Sequence, residues 1–160
     1  MTDQDFERIA SLAGRYTGIV LGKAKQDMVY GRIARRLRKL NIDSFSVYLD
    51  YLEANTEKEL SNFINVITTN LTSFFRENHH FEYLYKTVLP ELKRKNSETK
   101  RLRVWSAGCS KGMEPYSIAM TLLKSGIPSN WDVKILATDL DSEVLDTASK
   151  AVYSSSEVDG

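Results

Sequence analysis

The sequence predicts an α/β protein in which a small all-helical N-terminal domain precedes the opening β-α-β-α part of a parallel-sheet, nucleotide-type binding domain. Three observations predict it. Through residues 1–69 the apolar residues recur at helical spacing, with no alternating run of strand character. The segment Val104-Trp105-Ser106-Ala107-Gly108-Cys109-Ser110-Lys111-Gly112-Met113-Glu114-Pro115-Tyr116-Ser117 reads as a buried strand, a glycine turn and a helix start. Ile135-Leu136-Ala137-Thr138-Asp139-Leu140-Asp141 reads as a second strand ending in an acid. Strand, glycine loop, helix, strand and acid form the first half of a nucleotide-type site.

Local pattern supports each element in turn. Phe6, Ile9, Ala10 and Ala13 share one helical face, and Gly14 and Gly18 punctuate the chain beyond them. Over 25–40, Val29, Ile33, Leu37 and Leu40 line one face of a helix, while Arg32, Arg35, Arg36 and Lys39 line its neighbour. Asn41-Ile42-Asp43-Ser44 is a turn ending in a capping serine, and a short helix resumes over 45–54. Over 56–68, Leu60, Phe63, Ile64 and Ile67 form an inner face. A further amphipathic helix is expected over 77–92, with Phe81, Leu84, Tyr85 and Val88 inward and Pro90 near its end. The polar run 93–100 is a surface connection. Leu102, Val104 and Trp105 make the first strand, and Pro115 suits the first turn of the next helix. Residues 126–130 turn the chain into the strand over 133–138, and Asp141 caps a last helix over 143–151. Three regions result: 1–69 as the helical domain, 70–100 as a linking segment and helix, and 101–160 as the start of the α/β domain.

Composition narrows the function classes. A chain that is 42% hydrophobic and 27% charged, without low-complexity runs, is globular. No apolar run approaches the roughly 20 residues of a membrane helix, and the acidic start Met1-Thr2-Asp3-Gln4-Asp5 lacks signal-peptide character, so the expected address is cytoplasmic. A net charge of +1 gives no general field for nucleic acid. Cys109 is the one cysteine, and no His/Cys cluster has metal-ligand spacing. Cys109 reads as a small filler of the glycine loop. A nucleophilic role would need a base, and His79 and His80 read as surface or packing residues at a helix start. Basic charge is nonetheless concentrated: Lys23, Lys25, Arg32, Arg35, Arg36, Arg38 and Lys39 face only Asp27 within their stretch. By composition alone that is a solvated face.

The segment Thr69-Asn70-Leu71-Thr72-Ser73-Phe74-Phe75-Arg76 places an amide, hydroxyls and an arginine around two phenylalanines. With the glycine loop Gly108-Cys109-Ser110-Lys111-Gly112-Met113-Glu114-Pro115 and the run Ala137-Thr138-Asp139-Leu140-Asp141, it resembles the CheR-type chemotaxis receptor methyltransferases, colinearly from about Gly18 onward. The resemblance implies a Rossmann-like domain that uses S-adenosyl-L-methionine, yields S-adenosyl-L-homocysteine, and methylates glutamate side chains on bacterial chemoreceptors. It implies cofactor contacts from Asn70, Thr72, Arg76, Gly108, Glu114 and Asp139. Asp139 would accept the ribose hydroxyls, Glu114 would hold the methionyl amine, and Gly108 and Gly112 would let the backbone approach. Asn70 and Thr72 would supply neutral polar groups. Arg76 would orient a carboxylate, either as the catalytic cation or as a cofactor ligand. Phe74 and Phe75 would wall the site or pack as core.

The same resemblance turns the basic face of Arg32, Arg35, Arg36 and Lys39 into a docking surface for the acidic methylation helices of receptors. No metal and no nucleic acid are implied. Lys111 and Met113 depart from the family loop, which usually carries Thr and Glu there, and Lys111 is expected to point to solvent. The family also continues past the two clear strands of this chain. A truncated form that self-associates through its incomplete sheet, or lacks activity, is therefore expected. The alternative is a noncatalytic receptor- or partner-binding module with an incomplete cofactor site. A nicotinamide dehydrogenase is disfavoured because the Gly108 to Gly112 spacing is not the dinucleotide fingerprint.

Overall fold

The computed structural model describes residues 1–158, and the chain divides between Thr69 and Asn70 into two compact units. The first unit is all helical: α1 (Asp3–Thr17), α2 (Gln26–Leu40) preceded by a 3-10 turn, α3 (Phe45–Ala54) and α4 (Thr56–Ile67). Local chemistry sets the ends. Thr2 and Asp5 form a reciprocal capping box on α1, and Gly18 closes it with φ 75°. Ser44 caps α3 by accepting from the Val47 N–H. Ile9, Val29, Ile33, Leu49, Leu52 and Phe63 are fully buried and supply the core. One polar group joins them. Glu59 is buried among these side chains, where Arg36 and Tyr48 reach it.

The second unit contains α5 (Asn78–Tyr83), α6 (Leu89–Lys95), β1 (Arg101–Ser106), α7 (Met113–Lys124), β2 (Asp132–Ala137), α8 (Ser142–Lys150) and the short α9 (Ser155–Val158). The strands pair in parallel from Arg101 with Asp132 to Ser106 with Ala137, so the chain between them, including α7, is a crossover. Among the described residues only one face of the pair is covered. Leu102 is buried and Val104, Val133 and Ile135 are half-buried against Leu84, Leu89, Leu92, Ile118 and Leu122, whereas Trp105 and Leu136 are exposed on the other side. The reading of Trp105 as part of a buried strand is corrected: its indole N–H donates to Thr138 Oγ1 at 2.9 Å at the surface.

The helix expected over 77–92 also differs. Between α5 and α6 the backbone makes a π turn over Leu84–Val88, in which the Leu89 N–H donates to the Leu84 carbonyl. Pro90 stands just beyond it, where a regular helix would lose a hydrogen bond and meet a ring clash. The extra residue in the turn rotates the inward face. Leu89 becomes buried while Tyr85 is exposed, so Leu84, Leu89 and Leu92 pack on the strands and Tyr85 does not.

Candidate functional site

The site is assembled where both strands end and the loop before α5 meets them. At the strand ends the Thr138 N–H donates to the Ser106 carbonyl at 3.0 Å, and the Cys109 N–H donates to the Thr138 carbonyl at 2.9 Å. The glycine loop is thereby fixed to β2. Within it Ser110 adopts φ 48°, which turns its N–H onto Asp139 Oδ2 at 2.8 Å. The other oxygen, Oδ1, accepts the Asp141 N–H at 2.9 Å. Backbone dipoles thus orient the Asp139 carboxylate, and each oxygen retains a lone pair for a further donor.

Asn70 joins the same network. Its amide donates to Asp141 Oδ2 at 2.6 Å, and its carbonyl accepts from Ser110 Oγ at 3.2 Å. Asp141, 3% exposed, also accepts the Glu143 and Val144 N–H groups at the start of α8 through Oδ1. One carboxylate therefore caps a helix and holds the amide of a residue far away in sequence.

Beside this network a cavity of about 270 Å³ is lined by Thr72, Arg76, His80, Gly108, Ser110 and Glu114, among others. Glu114 stands in the first turn of α7, where the helix dipole favours an anion, and Ser106 Oγ donates to its Oε1 at 2.6 Å. Arg76 follows Phe75, whose φ is 51°, and precedes Glu77, whose φ is 56°. The Arg76 guanidinium donates to the Leu71 carbonyl at 2.9 Å, closing the loop on itself. Of the expected cofactor residues, Thr72, Arg76, Gly108 and Glu114 share the cavity wall; Asn70 and Asp139 lie next to it and connect to it through Ser110.

The two glycines part company. A Cβ on Gly108 would meet nothing within 4 Å, so its side faces open space along the cavity. A Cβ on Gly112, at φ 93°, would come within 2.9 Å of Ala148 Cβ and Tyr153 Oη. Gly112 serves the packing of the loop against α8 and Tyr153, in place of the ligand approach expected of it. Phe74 packs edge-on to Tyr153 and Phe75 edge-on to Phe81.

Cys109 is fully buried, and burial, followed by the nearby Asp139 charge, pushes its thiol pKa up. That environment favours the neutral thiol and opposes nucleophilic use. Lys111 pairs with Glu157 at 3.5 Å and does not line the cavity. Sequence reasoning missed Ser110, Asp141 and His80 as site residues. Asp141 was legible only as a cap, because nothing in the spacing tells that Asn70 folds back onto it. His80, read as a surface or packing residue, stands on the cavity wall.

On α2 the four basic residues separate. Arg36 donates to Glu59 through Nε at 2.7 Å and Nη2 at 2.5 Å, and Arg32 donates to the carbonyls of Val66 and Thr68. Arg35 and Lys39 remain exposed. Two larger cavities, about 400 and 430 Å³, lie elsewhere in the second unit. The former has Glu82 already paired with Lys86 and Lys124 over the Tyr85 ring; among the described residues, the wall of the latter carries no charged side chain. Neither brings together an acid and a cation free for a ligand as the smaller cavity does.

A parallel strand pair with a glycine turn at one strand end and an oriented acid at the other defines a nucleoside-cofactor-binding α/β domain. Comparison with known proteins makes that class specific. Residues 70–160 match the SAM-binding domain of CheR methyltransferases and residues 4–68 match their all-alpha domain. The chain is 47% identical over 161 residues to the chemotaxis protein methyltransferase of Salmonella typhimurium, covering 99% of this chain and 53% of that protein. It is 46% identical over 156 residues to that of Escherichia coli, with 96% and 51% covered. With the one from Borreliella burgdorferi it shares 38% over 159 residues, with 96% and 56% covered. The chain belongs to the CheR methyltransferase family, and it spans about half the length of the curated relatives it matches.

The residues present fit S-adenosyl-L-methionine. Its amino-acid end carries an ammonium and a carboxylate, and Glu114 and Arg76 present the opposite charges on one cavity wall. Its ribose offers two hydroxyl donors, and the oriented Asp139 carboxylate is a matching acceptor.

Proposed function

We propose that this chain supplies the receptor-docking helices and half of the cofactor site of an S-adenosyl-L-methionine-dependent protein-glutamate O-methyltransferase, acting in the cytoplasm on the methylation helices of bacterial chemoreceptors. The observation that carries the reading is the shared cavity wall of Arg76 and Glu114 next to the backbone-oriented Asp139. When bound, the cofactor supplies a sulfonium methyl already activated toward displacement. A receptor glutamate, with an ordinary pKa of about 4.3, is already ionised at neutral pH. Held by Glu114, Arg76 and Asp139, the cofactor would supply that methyl to a receptor carboxylate oxygen, its sulfur keeping the electron pair of the broken carbon–sulfur bond. No proton has to be removed, so no general base is required.

The protein's part is to hold and to exclude water. Glu114, kept in place by Ser106, holds the cofactor ammonium; Arg76 holds its carboxylate; Asp139 accepts the ribose hydroxyls; Asn70 and Thr72 complete the polar wall. Gly108 leaves room for the ligand. On the helical unit, the exposed Arg35 and Lys39 dock the acidic receptor helix, while Arg32 and Arg36 shape that face from beneath through their bonds within the unit.

Isothermal titration of S-adenosyl-L-homocysteine tests the site. The expected outcome is saturable binding that weakens about 100-fold in Asp139→Ala, as for loss of a charged acceptor worth about 3 kcal/mol. Equal affinity of the two proteins would remove Asp139 from the site.

A further inference from the structure

A buried hydroxyl links the helix that carries Glu114 to the loop that carries Arg76. Ser117 is fully buried on α7, one turn after Glu114. Its Oγ donates to the Met113 carbonyl at 2.7 Å, which directs the hydroxyl hydrogen back along the helix. The lone pairs then face the loop, where they accept the Phe75 N–H at 3.0 Å. Phe75 is not a glycine, yet it holds φ 51° immediately before Arg76. A bulky residue persists in that region only where its surroundings over-determine it.

We infer that Ser117 is a positioning residue for Arg76. This inference rests on the proposed cofactor reading. Glu114 is carried by α7 directly, and Arg76 is tied to the same helix through Phe75 and Ser117, so one rigid element sets the separation of the anion and the cation. The Arg76 bond to the Leu71 carbonyl closes the loop, and the Arg76 N–H donates to the Ser73 carbonyl at 3.3 Å, but neither reaches outside the loop. Among the described residues the Ser117 bond is the polar tie between this loop turn and α7. Removing the hydroxyl takes away the acceptor of the Phe75 N–H, and the Ser117 side chain itself is fully buried.

The test uses two ligands that differ at the amino-acid end. S-adenosyl-L-homocysteine has the carboxylate that Arg76 holds, and 5′-methylthioadenosine lacks it. Both are titrated into the full chain as wild type, Ser117→Ala and Arg76→Ala. Expected is a loss of about ten-fold for S-adenosyl-L-homocysteine in Ser117→Ala with methylthioadenosine changed by less than about two-fold, a muted version of Arg76→Ala. A general packing defect would weaken both ligands alike, and that outcome, or unchanged selectivity, overturns the proposal. If Ser117→Ala does not fold, Ser117→Cys fills the position with a slightly larger side chain and a weaker acceptor and is held to the same selective loss. A wild-type chain that binds neither ligand overturns the cofactor reading itself.

Discussion

Glu59 is 2% exposed inside the helical unit, in a position whose neighbours Phe63 and Ile67 are core. A carboxylate there must be compensated, and the fold compensates it with two donors from Arg36 and a third from Tyr48 Oη at 3.0 Å. The partners respond as expected. The Glu59 hydrogen bonds raise the Arg36 pKa, and burial, reinforced by the Glu59 charge, pushes that of the Tyr48 phenol up, so it stays a neutral donor. Glu59→Ala would leave the Arg36 guanidinium, whose side chain is 10% exposed, without its partner. The expected cost is about 3–5 kcal/mol, read as a lower urea midpoint. Replacing both residues together, as Arg36→Met with Glu59→Leu, should cost far less. A double variant that loses the sum of what the two single replacements lose would show that the pair is not coupled.

At the scale of the elements, the glycine loop and α7 show what a sequence can and cannot reveal. Gly112→Ala must accommodate a Cβ within 2.9 Å of two atoms at φ 93°, and is expected to lose about 1–3 kcal/mol. Gly108→Ala meets no atom and keeps an ordinary φ, so thermal stability should change by less than about 0.5 kcal/mol. Because Gly108 lines the cavity, the same substitution should lower S-adenosyl-L-homocysteine affinity. Thermal denaturation and titration of both variants separate the two roles; a Gly108→Ala protein that binds normally would take that residue out of the ligand's path. Both glycines stood in the same motif, and the family resemblance gave them the same role. Helix faces were legible in Val29, Ile33 and Leu37 because periodicity reports burial directly. The capping roles of Ser44 and Asp141 were legible because a cap needs only its own few residues. The π turn before Pro90 was not, since the chain there still reads as periodic and the shift appears only once Leu89 has to pack on β1. Contacts between distant segments were hidden for the same reason: Arg36 on Glu59, Asn70 on Asp141 and Phe75 on Ser117 leave no local pattern.

For the whole molecule the decisive quantity is where charge sits, because its sum is only +1. Two arginines of α2 are engaged within the helical unit, Arg36 with Glu59 and Arg32 with backbone carbonyls, so the basic stretch is not one uniform surface. The exposed part, Arg35, Arg38 and Lys39, is what a partner can meet. Exposed charges of this kind act chiefly on encounter, and salt weakens them: the screening length falls from about 10 Å at 0.1 M to about 3 Å at 1 M. Under the proposed function, reversing Arg35 and Lys39 to glutamate should lower kcat/KM toward an acidic receptor helix by about ten-fold. The salt dependence of that rate should flatten at the same time. S-adenosyl-L-homocysteine affinity should not change, because neither residue belongs to the unit that carries the cofactor cavity. Methyl-ester formation on the receptor, measured across a salt series with titration of the cofactor product alongside, distinguishes the outcomes. A rate that falls with an unaltered salt slope would assign Arg35 and Lys39 to something other than electrostatic docking, and an unaltered rate would return the basic face to a solvated surface.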